Sequence, residues 1–180
     1  YQMTKEIDIK DKIFEIFISE DEISSIVHSM ANQINNSGVK DPLFIAVLNG
    51  SFLFAADIMR KINIPNSEIS FIKLSSYLGT ESTGEVNELI GLGKNIRNRN
   101  IVILEDIIDT GITLEKIIIL LEKEEVADIK VATLLFKPEA YKKDIEIDFI
   151  GESIANDFVV GYGLDYDEIG RNLPHIYKLK

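Results

Sequence analysis

IVILEDIIDTGIT, residues 101–113, changes character within a few positions, and that change decides the fold. Ile101-Val102-Ile103-Leu104 is a short, wholly apolar, mostly β-branched run, as expected of a strand buried on both faces. Glu105 to Thr113 is polar and reads as a loop. Beyond it, Leu114, Ile117, Ile118 and Leu121 recur at i, i+3, i+4 and i+7, the spacing of one apolar helix face. A buried strand, a polar loop and an amphipathic helix together form the repeating unit of an α/β protein.

The same alternation extends outward in both directions. Ser19 and Glu22 have the spacing of a capping box, and Ile23, Ile26, Val27, Met30, Ala31 and Ile34 follow at helical intervals, with Gly38 as the stop. Leu43 to Leu48 reads as a second buried strand. It runs through Asn49-Gly50-Ser51 into a helix over 52–62, which Pro65 ends. Further strands are predicted at 69–76, 130–136, 145–150 and 158–160. Strand–helix alternation through residue 136 predicts an α/β fold with a parallel central sheet and helices on both faces. The strand- and loop-rich last third is read as a small C-terminal cap, or hood, over the sheet edge. Tyr77 to Gly93, rich in Gly, Ser, Thr and Glu, reads as a long mobile loop, which composition leaves open as either a functional lid or a solvated insertion. Repeats, low-complexity tracts and linkers are absent, so residues 1–180 read as one domain.

Composition narrows the function classes. Hydrophobic residues make up 46% and charged residues 27% of the 180, as in ordinary globular proteins. No apolar run approaches the roughly 18 residues of a membrane helix, and no membrane partner is expected. Met3 reads as the native start, and no signal peptide follows it. The absence of cysteine removes disulfides, zinc–thiolate sites and cysteine nucleophiles, and points to the cytoplasm. A net charge of −11 without a basic cluster opposes binding to nucleic acid. A small anion can still bind where backbone amides and a cation compensate locally.

Ligands of open parallel sheets bind beyond the carboxyl ends of the strands, where residues 105–113 lie. Thr110, Gly111 and Thr113 open a helix, so free amides and hydroxyls converge there as an anion site suited to a terminal phosphate. Glu105, Asp106 and Asp109 stand beside it. Carboxylates alone would repel a phosphate, and the combination makes chemical sense if a divalent cation or sugar hydroxyls lie between them.

This segment resembles the phosphoribosyl pyrophosphate motif of the type I phosphoribosyltransferase family, in the wording of its hypoxanthine-guanine branch. Phe158-Val159-Val160-Gly161-Tyr162-Gly163-Leu164-Asp165-Tyr166, followed by Arg171-Asn172-Leu173-Pro174, is similar to that branch's purine-site segment. Lys137-Pro138, Leu48-Asn49-Gly50 and Ser76-Tyr77 fall in the family's order, so the resemblance covers nearly the whole chain from about residue 10.

The resemblance implies that family's fold, with a hood formed by the N- and C-terminal segments. It also implies magnesium-dependent transfer of phosphoribose from phosphoribosyl pyrophosphate to hypoxanthine or guanine. By the same resemblance, Glu105 and Asp106 would hold the ribose hydroxyls directly or through magnesium, with Asp165 joining a second magnesium. Thr110, Gly111, Ile112 and Thr113 would hold the 5-phosphate, and Asp109 would be the general base. Leu48, Asn49 and Gly50 would cradle pyrophosphate through their amides, with Arg171 adding positive charge. Phe158 would stack on the purine, the main chain near Val159 and Asp165 would read its edge, and Lys137 would hydrogen-bond its 6-oxo group. Ser76 and Tyr77 would close over the site. A homodimer or homotetramer is implied as the assembly.

In many relatives Lys stands where this chain has Asn49, so a charge near pyrophosphate is missing here. A phosphoribosyl pyrophosphate sensor that binds nucleic acid would need a basic face or an added module, and neither is visible. Xanthine or uracil as the base is the nearer alternative, and Lys137 with Phe158 favours a 6-oxopurine. His28 and His175 are assigned no catalytic role. Gly161-Tyr162-Gly163 and Gly91-Leu92-Gly93 lack the third glycine of a dinucleotide loop.

Overall fold

Strand β6 (Asn100–Ile108) lies inside a six-stranded sheet and takes a parallel neighbour on each side. The computed structural model describes residues 6–74, 88–90 and 95–180. Around β6 the order is β5 (Glu88–Ile90), β4 (Glu68–Leu74), β3 (Leu43–Val47), β6, β7 (Asp128–Phe136) and β8 (Phe149–Ser153). Strands β4, β3, β6, β7 and β8 run parallel, and β5 is antiparallel to β4. β6 does not stop at Leu104 as expected. It stays paired with β7 through Ile108 opposite Phe136, because Ile107 and Ile108 restore a β-branched run after the two acids.

Helix α1 (Glu20–Asn35) starts as its sequence predicts. The Glu22 amide donates to Ser19 Oγ at 3.3 Å, and the Ser19 amide donates to Glu22 Oε2 at 2.8 Å. Its buried face is Ile23, Val27, Met30, Ala31 and Ile34. Helix α2 (Phe52–Met59) ends before the expected Ile62, and its last residues wind as a turn through the Ile62 amide on the Ile58 carbonyl. Helix α3 spans Ile112–Lys123. α1 and α2, the latter through Phe54, cover one face of the sheet over Phe44, Val102 and Leu104, while α3 covers the other over Ile45, Ile101 and Ile103. Burying each such side chain contributes roughly 1.5–3 kcal/mol, which is what holds the sheet between its helices.

Strand β8 begins four residues later than predicted. The Asp148 carboxylate takes the Val131 amide at 2.8 Å and the Lys130 ammonium at 3.1 Å, so a side chain occupies the position where strand pairing was expected. Glu88–Ile90 forms a strand inside the stretch read as loop. The remainder of that stretch up to Lys94, with Ser76 and Tyr77, lies outside the described residues.

A second, four-stranded antiparallel sheet joins the two ends of the chain in the order β1 (Glu6–Ile9), β2 (Lys12–Ile18), β10 (Ile176–Leu179) and β9 (Val159–Val160). Strands β1, β2 and β10 have no counterpart among the segments read from sequence. They close a small core of Ile9, Phe14, Val160 and Tyr177. Among the described residues, no helix is long and apolar enough to cross a membrane.

Candidate active site

Gly111 turns the chain from β6 into α3. Its φ of +82° is one that glycine adopts at little cost, and a Cβ there would lie 2.5 Å from Tyr141 Cε2. No side chain caps α3, so the amides of its first turn face a small cleft of about 110 Å³ lined by Glu105 and residues 107–114. Thr110, Gly111, Ile112 and Thr113 therefore surround an anion-sized space at a helix N-terminus. Glu105 is 5% exposed, and burial, with the neighbouring Asp106 charge second, pushes its carboxyl well above the usual range.

Asp106 takes a different direction from β6. Its Oδ2 occupies the space that a Cβ on Gly50 would need, only 1.7 Å away. Burial pushes Asp106 up to about 6, opposed by the main-chain amides of Ile107 and Asp106 and by the Arg171 charge, and reinforced by Asp165. The Gly50 carbonyl is in turn met by Gly163, where a Cβ would fall 2.0 Å from that oxygen and φ is +101°. Arg171 Nη1 donates to the Gly163 carbonyl at 2.9 Å, and Nη2 pairs with Asp165 at 2.8 Å and Glu168 at 3.1 Å. Asp165 Oδ2 also accepts the Glu168 amide at 2.8 Å. Asp106, Gly50, Gly163, Arg171 and Asp165 thus form one connected group bridging the main sheet and the C-terminal segment.

Gly163→Ala should show how rigid that bridge is. The substitution meets both a main-chain oxygen and an unfavourable φ, so Tm should fall by roughly 4–10 °C in calorimetry. A change below about 1 °C would mean that the two loops separate freely.

The peptide bond between Leu48 and Asn49 is cis. The Leu48 amide is already used on the Ile72 carbonyl at 2.9 Å. Among the described residues, the Asn49 and Gly50 amides donate to no main-chain carbonyl.

Parallel register brings Asp109 and Lys137 together. Ile108 pairs with Phe136, so the residues that follow each strand are neighbours. Lys137 Nζ lies 3.5 Å from Asp109 Oδ2, with the Lys137 side chain 9% and the Asp109 side chain 48% exposed. Phe158 is 45% exposed, while Val159 is buried at the start of β9. Sequence reading missed the aromatic rings around Phe158, which are Phe14 and Tyr166, and the close approach of Gly163 to Gly50. The two glycines of Gly161-Tyr162-Gly163 were the available signal, since such a pair marks a backbone that must pass close to something.

Magnesium fits this donor set in a limited way. Glu105 and Asp106 are enclosed carboxylates with raised proton affinity, which a nearby cation or hydroxyl donors would relieve. Among the described residues, no group of three or more His, Asp or Glu side chains is arranged to hold an ion. Asp165 already spends its two oxygens on Arg171 and the Glu168 amide. A magnesium ion would then take one or two carboxylates from the chain and its remaining oxygens from substrate and water, as magnesium commonly does.

The model of the phosphoribosyl transferase domain matches residues 19–167. The hypoxanthine-guanine phosphoribosyltransferase of Staphylococcus epidermidis is 45% identical over 167 residues, covering 92% of this chain and 93% of that one. A crystal structure of a hypoxanthine phosphoribosyltransferase from Staphylococcus aureus aligns with a TM-score of 0.84 and 41% identity, over 92% of this chain and 91% of that chain. A hypoxanthine-guanine phosphoribosyltransferase from Bacillus anthracis, solved with HEPES in its active site, aligns at 0.84 and 38% identity, over 94% and 98%. The five parallel strands with helices on both faces are the type I phosphoribosyltransferase fold, and the chain belongs to the phosphoribosyltransferase family, in its hypoxanthine-guanine branch.

Proposed function

We propose that the chain carries out magnesium-dependent purine salvage, moving the 5-phosphoribosyl group from phosphoribosyl pyrophosphate to hypoxanthine or guanine and giving IMP or GMP and pyrophosphate. The observation that carries this reading is the end of β6. An uncapped helix N-terminus, two enclosed carboxylates and the Asp109–Lys137 pair lie together there.

Residues 110–113 bind the 5-phosphate through amides and hydroxyls, and Glu105 and Asp106 accept from the ribose hydroxyls. The Asn49 and Gly50 amides, with Arg171, hold the pyrophosphate. A purine ring nitrogen forms a bond to the anomeric carbon while the bond from that carbon to pyrophosphate breaks, and its electron pair leaves with pyrophosphate. Asp109 takes the proton from the purine ring. Magnesium would be held by Glu105 and Asp106 together with substrate oxygens and would supply positive charge against the leaving group, and Asp165 would join a second ion by giving up its bond to Arg171 or to the Glu168 amide. Assembly as a homodimer or homotetramer and a cytoplasmic location complete the proposal.

Lys137 sets the choice of base. An ammonium has donors and no acceptor, so it suits a 6-oxo group and faces the 6-amino group of adenine with hydrogen against hydrogen. Lys137 is 7% exposed, so water cannot replace the lost bond. The cost is about 1–3 kcal/mol or more, and with donor–donor repulsion discrimination should reach at least about 100-fold. Phosphoribosyl pyrophosphate and magnesium offered with hypoxanthine, guanine, xanthine, adenine and uracil in turn test the proposal. Adenine used within about tenfold of hypoxanthine would overturn the 6-oxopurine assignment. Discrimination unchanged in Lys137→Met would remove Lys137 as its source.

A further inference from the structure

Phe158 presents an unusual combination, a ring 45% exposed yet bounded on two sides. Phe14, fully buried on β2, lies 6.2 Å away at 46°, and Tyr166 meets it edge-on at 5.8 Å and 83°. The Phe158 carbonyl is tied to the Leu179 amide at 3.0 Å, so its main chain is held by β10. Tyr166 is held in turn from the other end of the chain. Its hydroxyl donates to Asp11 Oδ1 at 2.8 Å, in the turn between β1 and β2. Beside that bond, Lys10 pairs with Asp167 at 2.9 Å, and the Lys12 ammonium stands 5.5 Å from the Tyr166 ring centre.

An exposed phenyl ring on two rotatable bonds ordinarily samples several orientations. Here two rings flank it, and one of them is fixed by a hydrogen bond spanning 155 residues. Edge-to-face contact and a hydrogen bond to a carboxylate are both directional, so together they set an angle as well as a distance. The bond also leaves its mark on the partners, with Asp11 held below the usual carboxylate range and Tyr166 above the usual phenol range, each mainly by the other. The exposed Lys10–Asp167 pair stabilises little by itself, so the alignment of Tyr166 is the larger consequence of this contact.

We propose that Asp11 and Tyr166 are positioning residues for the purine, the turn between β1 and β2 fixing through them the orientation in which Phe158 receives the base. The proposal rests on the reading of Phe158 as the purine platform. It gives the N-terminal hairpin a part in base recognition, although none of its residues touches the base in this account.

Steady-state kinetics of the full chain test it. Tyr166→Phe removes one hydroxyl from a partly exposed residue and keeps the ring, so it disturbs folding little. Tyr166→Phe and Asp11→Leu should each raise KM for hypoxanthine about 3- to 10-fold, with kcat and KM for phosphoribosyl pyrophosphate within about twofold, on the scale of one aromatic contact. The double variant should be no worse than either single one. Asp11→Asn keeps an acceptor and should restore wild-type behaviour. Phe158→Leu separates the two readings. If it raises KM for hypoxanthine while Tyr166→Phe and Asp11→Leu do not, the platform stands and the brace is wrong. If it leaves that KM unchanged, the stacking role falls and the brace falls with it. A parallel loss in both substrates would mark a merely structural hairpin and would also overturn the proposal.

Discussion

Asp109→Asn should lower kcat by about 100- to 10,000-fold, the range of a lost general base, with the affinity for phosphoribosyl pyrophosphate nearly unchanged. The expectation rests on position. Asp109 follows β6 directly and lines the cleft at the start of α3, and its side chain is half exposed where a ligand can reach it. Its partner at 3.5 Å is the buried Lys137 ammonium. The substitution therefore does two things. It removes a proton acceptor, and it leaves a buried cation without its counter-charge. Kinetics separate them. If Asp109 served only to orient Lys137, Asp109→Asn, Lys137→Met and the double variant would lose the same amount, chiefly in purine selectivity. If Asp109 is the base, kcat falls for hypoxanthine and guanine alike, and the Asn variant stays slow with Lys137 intact. Activity within about threefold of wild type would remove Asp109 from the base role.

Removal of divalent cations by an excess of chelator should bring turnover to background, a loss of at least about 1,000-fold, and added magnesium should restore it. The reason lies in the charge present before substrate arrives. Among the described residues, the cations near the site are already committed, Lys137 to Asp109, Lys143 to Glu115, and Arg171 to Asp165 and Glu168. Asp106 and Asp165 add negative charge beside the position proposed for pyrophosphate, and Glu105, whose burial favours its neutral form, adds its own once it ionises. Each close pair of like charges costs about 4 kcal/mol at an effective dielectric constant of 20, so a polyanion needs added positive charge to bind and to leave. Calorimetric titration of phosphoribosyl pyrophosphate with and without magnesium gives an independent readout. Unchanged turnover in excess chelator would end the metal-dependent reading.

Features written in contiguous residues were legible. The capping box of α1 needs only Ser19 and Glu22, and its two hydrogen bonds form as their spacing requires. The cleft at the start of α3 is lined by residues between 105 and 114, so one stretch of sequence describes it. Segment ends were less legible, because they depend on neighbours. β6 runs past Leu104 because β7 continues beside it, and β8 starts late because Asp148 takes the Val131 amide.

The alternation of strands and helices, the apolar faces they bury and the acidic, glycine-containing turn at the end of β6 are set by the order of residues alone. All of these depend on periodicity and on short-range hydrogen bonding, which a local window contains. Which distant groups meet depends on the packed chain. Parallel register sets Lys137 beside Asp109, the bare faces of Gly50 and Gly163 let Asp106 and the C-terminal segment converge, and pairing of β2 with β10 brings Phe14 and Asp11 to Phe158 and Tyr166. Those meetings follow from packing layers of fixed spacing around a shared core, a condition on the whole chain that no stretch of it carries alone.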